Sequence, residues 1–303
     1  MQFTRNQRIA FRLFALIFLL AMLGQFLRNA RADTFKPTRF TVTVEGAGPD
    51  VIMIPGLASS SAVWHPEADK LKAHYRVHLF QVNGFAGTPA GANAGGPIIA
   101  PLVEELAAYV RANNLSHPAI IGHSLGGLLG LMLANKHPEA VGKLMIVDSL
   151  PFFGMLFGPT ATVASVEPRA AQMRDQVAAG TQDTYAAGEP KVMATLVKSQ
   201  NTEAQAAIAA AQASDHGVVA RAMYDDMTTD LRSDLARIQT PATILYAFDA
   251  SVGFPQAAVD GLYQTAYAAL PNKRLVRIDG SYHFIQIDQP EAFDREVQAF
   301  LAH

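Results

Sequence analysis

The distribution of hydrophobic and polar residues predicts strands of two kinds. Residues 40–44 alternate between apolar and polar side chains, which is typical of a half-exposed edge strand. Residues 51–54 are apolar throughout, and such continuous runs belong to sheets that are covered on both faces. Further strand patterns follow at residues 77–82, 119–121, 144–147, 243–247 and 274–278.

Helical patterns separate these strands and close the chain. Strands that alternate with helices favour an α/β fold with a mostly parallel, doubly covered sheet. The alternation stops at residues 149–238, where alanine-rich helical stretches and proline or glycine breakers occur without a convincing strand. We predict a core of residues 33–148 and 239–303. Residues 149–238 are predicted to form a helical cap insertion over the carboxyl edge of the sheet, where open α/β sheets bind ligands.

The composition narrows the chemistry without defining it. The 303 residues carry a formal net charge of −2, which gives no reason to expect nucleic acid as a partner. The absence of cysteine excludes disulfides, a thiol nucleophile and thiolate metal sites. His74 and His78 do not have a convincing metal-ligand spacing. We therefore expect a small-molecule substrate and neither a metal nor an organic cofactor.

The amino-terminal residues have the features of an export signal. Three arginines among the first twelve residues precede the apolar run 13–23, and the small-residue motif Ala-Arg-Ala follows at 30–32. This combination predicts a signal peptide of residues 1–32, cleaved after Ala32, and a periplasmic protein. The alternative is an uncleaved anchor in the inner membrane. Only in that case do we expect membrane contact.

Residues 122–126 contain the strongest candidate for a nucleophile. They read Gly-His-Ser-Leu-Gly, directly after the apolar run 119–121 and at the start of a helical pattern. A strand that turns sharply into a helix leaves the serine at its apex projecting from the carboxyl edge of the sheet. Small residues are needed because the turn is strained and the helix packs close to the strand. We predict that Ser124 is the nucleophile.

A serine hydroxyl needs a base within hydrogen-bond reach and an acid that orients this base. His283 is the predicted base, because it lies in a loop after the last strand, at the same sheet edge as Ser124. Asp249 is the predicted acid, since it comes directly after the strand at 243–247. The alternative acid is Asp148, which ends the preceding strand. The competing interpretation gives Asp148 a structural role at the start of the cap.

Two backbone N–H groups are predicted to stabilise an oxyanion. Leu125 offers its N–H from the first turn of a helix, where backbone donors are free. Leu57 is expected to supply the second N–H from the loop after residues 51–54, where Gly56 allows a close approach of the backbone.

The substrate pocket is read less directly from the sequence. His123 is expected either to line the pocket or to support the turn at the serine. Phe152, Phe153 and Phe157 follow a strand that ends at the site. They are expected either to line an apolar pocket or to hold the cap against the sheet.

Together these motifs resemble the α/β-hydrolase superfamily over residues 40–301. The chain order Ser124, Asp249, His283 is that of the family's nucleophile, acid and histidine. The Pro-Gly-Leu sequence at 55–57 is similar to its oxyanion loop. One departure is clear: the family's acid loop is usually G-x-x-D, whereas this chain has alanine for that glycine and places the aspartate one residue early.

The resemblance implies a serine hydrolase that cleaves carboxylic esters of small-to-medium apolar substrates through an acyl-serine intermediate. The same triad also serves carbon–carbon hydrolases, lactonases and cofactor-free haloperoxidases, so fold analogy leaves these alternatives open. A hydrolase-like binding protein without catalysis is the alternative from another class.

Overall fold

The computed structural model describes residues 35–158 and 160–302, so the predicted signal peptide lies outside the described residues. The described part forms one seven-stranded sheet in the order β1-β3-β2-β4-β5-β6-β7. Only β1 is antiparallel to its neighbour, which confirms the predicted mostly parallel α/β fold. The strands are β1 (Phe40–Gly46), β2 (Asp50–Ile54), β3 (Arg76–Val82), β4 (Ala119–His123), β5 (Lys143–Val147), β6 (Ala242–Phe248) and β7 (Lys273–Asp279).

Helices connect the strands and cover the sheet. They are α1 (His65–Leu71), α2 (Ile99–Ala112), α3 (Leu125–Lys136), α4 (Val163–Ala179), α5 (Gln182–Met193), α6 (Thr202–Ala213), α7 (His216–Thr228), α8 (Gln256–Ala266), α9 (Ile285–Asp288) and α10 (Pro290–Ala302). Short 3₁₀ turns lie at Ser61–Trp64, Gly91–Ala94, Pro138–Ala140, Phe153–Phe157, Leu235–Arg237 and Ala250–Val252.

The interior of the sheet is buried on both faces. In β2, Ile52 and Ile54 pack into one apolar cluster, while Val51 and Met53 pack into another. Side chains alternate between the two faces of a strand, so the two clusters cover opposite faces. β1 pairs only with β3 and exposes most of its residues, as its alternating sequence predicts.

The register of the central strands aligns their carboxyl ends. Ile54 of β2 pairs with Gly122 of β4, and His123 pairs with Val147 of β5. The residues that follow these three strands therefore emerge side by side at one edge of the sheet.

The four helices α4–α7 come between β5 and β6 in the chain. The segment that contains them forms hydrogen bonds with loops at this same edge. The loops follow β2, β3 and β7, so the helices rest on the carboxyl edge. We call residues 149–238 the cap. The bonds are Ser214 Oγ to the Ala58 carbonyl (3.2 Å), Asp215 N–H to the Gly84 carbonyl (2.7 Å) and Phe284 N–H to the Leu196 carbonyl (3.2 Å).

Within residues 35–158 and 160–302, no helix combines the length and the apolar character needed to cross a membrane.

Candidate active site

Ser124 occupies a strained turn between β4 and α3. Its φ of 52° and ψ of −121° are unfavourable for a residue with a side chain, and such strain is characteristic of functional sites. The Ser124 N–H donates to the Val147 carbonyl at 2.9 Å, which ties the turn to β5. The strand, turn and helix have the arrangement that the Gly-His-Ser-Leu-Gly sequence predicts.

His283 is paired with Asp148. The His283 Nδ1 lies 2.7 Å from the Asp148 Oδ2, and with a proton on Nδ1 the imidazole donates to the carboxylate. The other Asp148 oxygen accepts from the Ala247 N–H and from the Tyr263 hydroxyl, both at 2.9 Å. Burial raises the pKa of Asp148, but the bonds from His283, Ala247 and Tyr263 outweigh burial and hold the pKa below its usual value. Asp148 is therefore ionised at neutral pH.

The prediction that Asp249 orients His283 is wrong. Its carboxylate instead accepts from Lys198 Nζ at 2.5 Å and from the hydroxyl and N–H of Ser251. These bonds, that from Lys198 first, lower the pKa of Asp249 to about 2. The strand register gives the reason.

Val147 of β5 pairs with Leu245 of β6, and β6 continues to Phe248, three residues further (248 − 245). At about 3.3 Å per residue, the loop after β6 begins about 10 Å beyond the level of Asp148. Asp148 therefore lies level with the end of β4, while Asp249 projects past it.

His123 supports the histidine loop from below. Its ring has no exposed surface, lies 4.6 Å from the His283 ring between centroids, and packs edge-on against Trp64. Nε2 lies 3.0 Å from the His283 carbonyl oxygen, and with a proton on Nε2 the ring donates a hydrogen bond to it. Burial, and then the charge on His283, lower the pKa of His123 to about 3, so the ring is neutral. Of the two predicted roles, the full burial of His123 fits the supporting one.

The two predicted oxyanion donors belong to segments that adjoin the serine. Leu125 is the first residue of α3, so its N–H has no acceptor within the helix. Leu57 follows β2 and is partly exposed. An ideal Cβ on the neighbouring Gly56 would lie 3.0 Å from the Ser124 Cβ, which places this loop directly against the serine. No hydrogen bond from either N–H is found among the described residues.

The three predicted pocket aromatics separate into different environments. Phe152 is fully buried in the core, with the Arg232 guanidinium 4.5 Å from its ring, so it holds the cap and does not line an open pocket. Phe153 packs against the same core and is partly buried. Phe157 is 48% exposed, and Arg169 lies 5.6 Å from its ring.

Tyr263 is a residue of the site that the sequence did not reveal. It lies on α8, and its ring stacks between Tyr246 and Tyr267. Tyr267 donates to the Ser149 carbonyl at 2.8 Å, immediately after Asp148. Two tyrosines four residues apart share one helix face. That spacing is the signal in the sequence for a shared role next to Asp148.

His78 lies away from the site and has structural partners. His78 is buried and bonds to the Tyr109 hydroxyl at 2.7 Å and to Asp50 at 2.9 Å. In the part of the chain that the structure describes, no three His, Asp or Glu side chains are arranged to hold a metal ion.

Similarity to known proteins extends over most of the chain. A sequence profile for the alpha/beta hydrolase fold matches residues 49–290. The protein belongs to the α/β-hydrolase family. The match confirms the resemblance deduced from the motifs. The relatives with the same core are named as hydrolases and esterases, and this α/β hydrolase is an enzyme.

The chain aligns with two curated relatives over nearly their full length. A Serratia proteamaculans protein named "Putative carbamate hydrolase RutD" is 26% identical over 260 residues, which are 84% of this chain and 91% of the relative. The pimeloyl-acyl-carrier-protein methyl ester esterase of Yersinia enterocolitica is 27% identical over 267 residues, with 83% and 92% covered. Among solved structures, a thermophilic esterase from Thermogutta terrifontis has a TM-score of 0.71 at 17% identity, covering 87% of this chain and 93% of that one. This last likeness is one of fold.

Proposed function

We propose that this α/β hydrolase cleaves carboxylic esters through an acyl-serine intermediate. The observation that carries the proposal is the bonded pair of His283 and Asp148 at the sheet edge where Ser124 occupies its strained turn. The names of the two curated relatives give further support, because a carbamate and a methyl ester both present a carbonyl carbon for attack. The alternatives are the other reactions that the same triad can perform: hydrolysis of carbon–carbon bonds, hydrolysis of lactones and cofactor-free haloperoxidase chemistry.

The proposed reaction assigns each residue one task. The Ser124 hydroxyl attacks the carbonyl carbon while His283 Nε2 takes its proton. Asp148 holds the opposite ring nitrogen and stabilises the imidazolium that forms. The N–H groups of Leu57 and Leu125 hold the oxyanion. His283 returns the proton to the leaving alcohol, and water then releases the acid from Ser124 by the same steps.

Ser124→Ala is expected to lower the hydrolysis of p-nitrophenyl esters by at least about 10⁴-fold, because removing the nucleophile leaves only binding and oxyanion stabilisation. The measurement is kcat for the wild type and the variant across acyl lengths from two to twelve carbons. Ser116→Ala is the control, since this serine is exposed and precedes β4 at the opposite edge of the sheet.

A fluorophosphonate probe distinguishes the possible failures of this proposal. If Ser124 is labelled but no ester is cleaved, the carbon–carbon, lactone or haloperoxidase alternatives replace ester hydrolysis. If Ser124 is not labelled and the protein cleaves no ester, the chain is a binding protein that has lost catalysis.

We also propose that the protein is exported and cleaved after Ala32. Support comes from the sequence alone: the arginines, the apolar run 13–23 and the motif at 30–32. Amino-terminal sequencing of protein recovered from the periplasm is expected to begin at Asp33. An intact Met1 on membrane-bound protein would instead establish the anchor.

A further inference from the structure

The two oxygens of the Asp148 carboxylate have separate partners. Oδ1 accepts from the Ala247 N–H and from the Tyr263 hydroxyl, both at 2.9 Å. Oδ2 lies 2.7 Å from His283 Nδ1. Tyr263 therefore draws on the negative charge of this carboxylate without occupying the oxygen that faces His283.

The Tyr263 side chain is held in place by its neighbours on α8 and β6. Only 7% of Tyr263 is exposed. Its ring stacks between those of Tyr246 and Tyr267, with ring centroids 4.5 and 6.5 Å away and interplanar angles of 16° and 13°. A buried hydroxyl that left its acceptor would lose a hydrogen bond without gaining one from water, which is unfavourable. Packing and hydrogen bonding therefore both keep this hydroxyl on Asp148.

Tyr246 and Tyr263 have nearly parallel rings but different acceptors. The Tyr246 hydroxyl donates to Asp260 Oδ1 at 2.9 Å, and Asp260 also accepts from Arg277 at 2.8 Å. The Tyr263 hydroxyl is the one that donates to Asp148. Removing either hydroxyl keeps its ring in the stack, so the effect of the bond to Asp148 can be measured apart from the effect of stacking.

The Tyr263 hydroxyl keeps its proton at the pH values at which an esterase is assayed. Burial, followed by the negative charge of Asp148, raises the pKa of Tyr263 well above its usual value. The phenol is therefore a permanent donor to the carboxylate. A carboxylate that accepts a hydrogen bond is a weaker base, and it attracts a neighbouring imidazolium less strongly than a carboxylate without that bond.

Two further titratable groups interact electrostatically with His283. The His123 ring, at the end of β4, lies 4.6 Å from the His283 ring, and burial lowers the pKa of His123 to about 3. Asp226 lies on α7, where burial raises its pKa and the charge on His283 lowers it. Among the described residues, the hydrogen-bond donors to the Asp148 side chain are His283, one backbone N–H and Tyr263. Of these donors, Tyr263 is the one that can be changed without altering the histidine or the backbone.

We propose that Tyr263 is a positioning residue that acts on His283 through Asp148. Its hydroxyl holds Oδ1 and takes up part of the negative charge, so that the histidine is present as the free base in more acidic solution than a bare carboxylate would allow. The activity of the enzyme then extends further into the acid range. This inference rests on the proposed ester hydrolysis and adds a control on its pH range.

Tyr263→Phe tests the inference, because it removes the hydroxyl and keeps the stacked ring. The acid side of the kcat/KM profile reports the essential base of the free enzyme. Without the donor, Asp148 stabilises the imidazolium more strongly, so the midpoint of this side is expected to rise by about half a unit to one unit. Well below the midpoint, kcat/KM is then expected to fall about 3- to 10-fold further than at pH 8. The measurement is hydrolysis of p-nitrophenyl butyrate from pH 4.5 to 9.

Tyr246→Phe is the matched control, since it removes a hydroxyl from the neighbouring ring and is expected to leave the midpoint unchanged. A loss of packing alone would lower kcat/KM at every pH without moving the midpoint. If Tyr263→Phe does not fold, Tyr263→3-fluorotyrosine replaces it. The fluorinated phenol is a stronger donor and is expected to lower the midpoint.

The outcomes separate the two proposals. An unchanged midpoint in Tyr263→Phe, or an equal shift in Tyr246→Phe, would overturn the inference while ester hydrolysis stands. If the wild type cleaves no ester, the proposed function is overturned, and the pH profile is read from the rate at which a fluorophosphonate labels Ser124. That rate needs the same base, so a raised midpoint in Tyr263→Phe supports the inference and an unchanged one overturns it. If Ser124 is not labelled, both proposals are overturned.

Discussion

Asp148→Asn is expected to lower kcat on p-nitrophenyl esters by about 10³- to 10⁴-fold, whereas Asp249→Asn leaves kcat within about threefold of the wild type. In the wild type, the Asp148 carboxylate lies 2.7 Å from His283 Nδ1 and can accept a hydrogen bond from it. An amide in this place carries no negative charge. It therefore favours the wrong imidazole tautomer and fails to stabilise the imidazolium. The Asp249 carboxylate bonds to Lys198 and Ser251, so its charge takes no part in the proposed proton transfer from Ser124 to His283.

The two variants are best measured side by side with the wild type, over pH 5 to 9. Circular dichroism provides the folding control, since Asp148 also receives bonds from Ala247 and Tyr263. Near-normal turnover in Asp148→Asn together with a large loss in Asp249→Asn would return the acid role to Asp249.

Gly126→Ala is expected to prevent folding, at a cost of more than about 4 kcal/mol in the free energy of unfolding. An ideal Cβ at this position would lie 2.2 Å from the Ile54 carbonyl oxygen and 2.9 Å from that of Pro55. Both contacts are backbone atoms of β2 and of the loop that follows it, and neither can move without disrupting the sheet. The expected result is insoluble protein, or soluble protein that has lost its cooperative urea transition.

Two other glycines in helices serve as controls. A Cβ on Gly130 would meet the end of the Leu144 side chain at 2.6 Å, which is flexible, so Gly130→Ala is expected to cost only about 1–2 kcal/mol. Nothing lies within 4 Å of the position of a Cβ on Gly261 in α8. Gly261→Ala is therefore expected to stabilise the fold by about 0.5–1 kcal/mol. A Gly126→Ala protein as stable as Gly130→Ala would show that α3 can move away from β2.

The sequence predicts features that depend on local chemistry. The strand and helix patterns predict the sheet, and the Gly-His-Ser-Leu-Gly motif predicts the strained turn at Ser124, because both depend on neighbours in the chain. The loop position of His283 follows from the last strand pattern in the same way. These predictions need no knowledge of how far one strand extends beside another.

The choice between the two candidate acids required such knowledge. Asp148 and Asp249 each follow a buried strand, and the sequence does not reveal that β6 extends three residues past the partner of Val147 (248 − 245). Burial of Phe152 and of His123 was equally hidden, since it depends on cap and loop packing across long chain separations.

The separate duties of the two carboxylates have a consequence for how this enzyme can diversify. Asp148 directly follows β5, the strand next to that of Ser124. In the proposed reaction the loop after β6 therefore has no part in the proton transfer, and Asp249 can bind Lys198 of the cap instead. With a pKa of about 2, that fastening persists in acidic surroundings. Selection, or a designer, can therefore rebuild the lysine side of the cap for a new substrate while the machinery for bond cleavage is inherited unchanged.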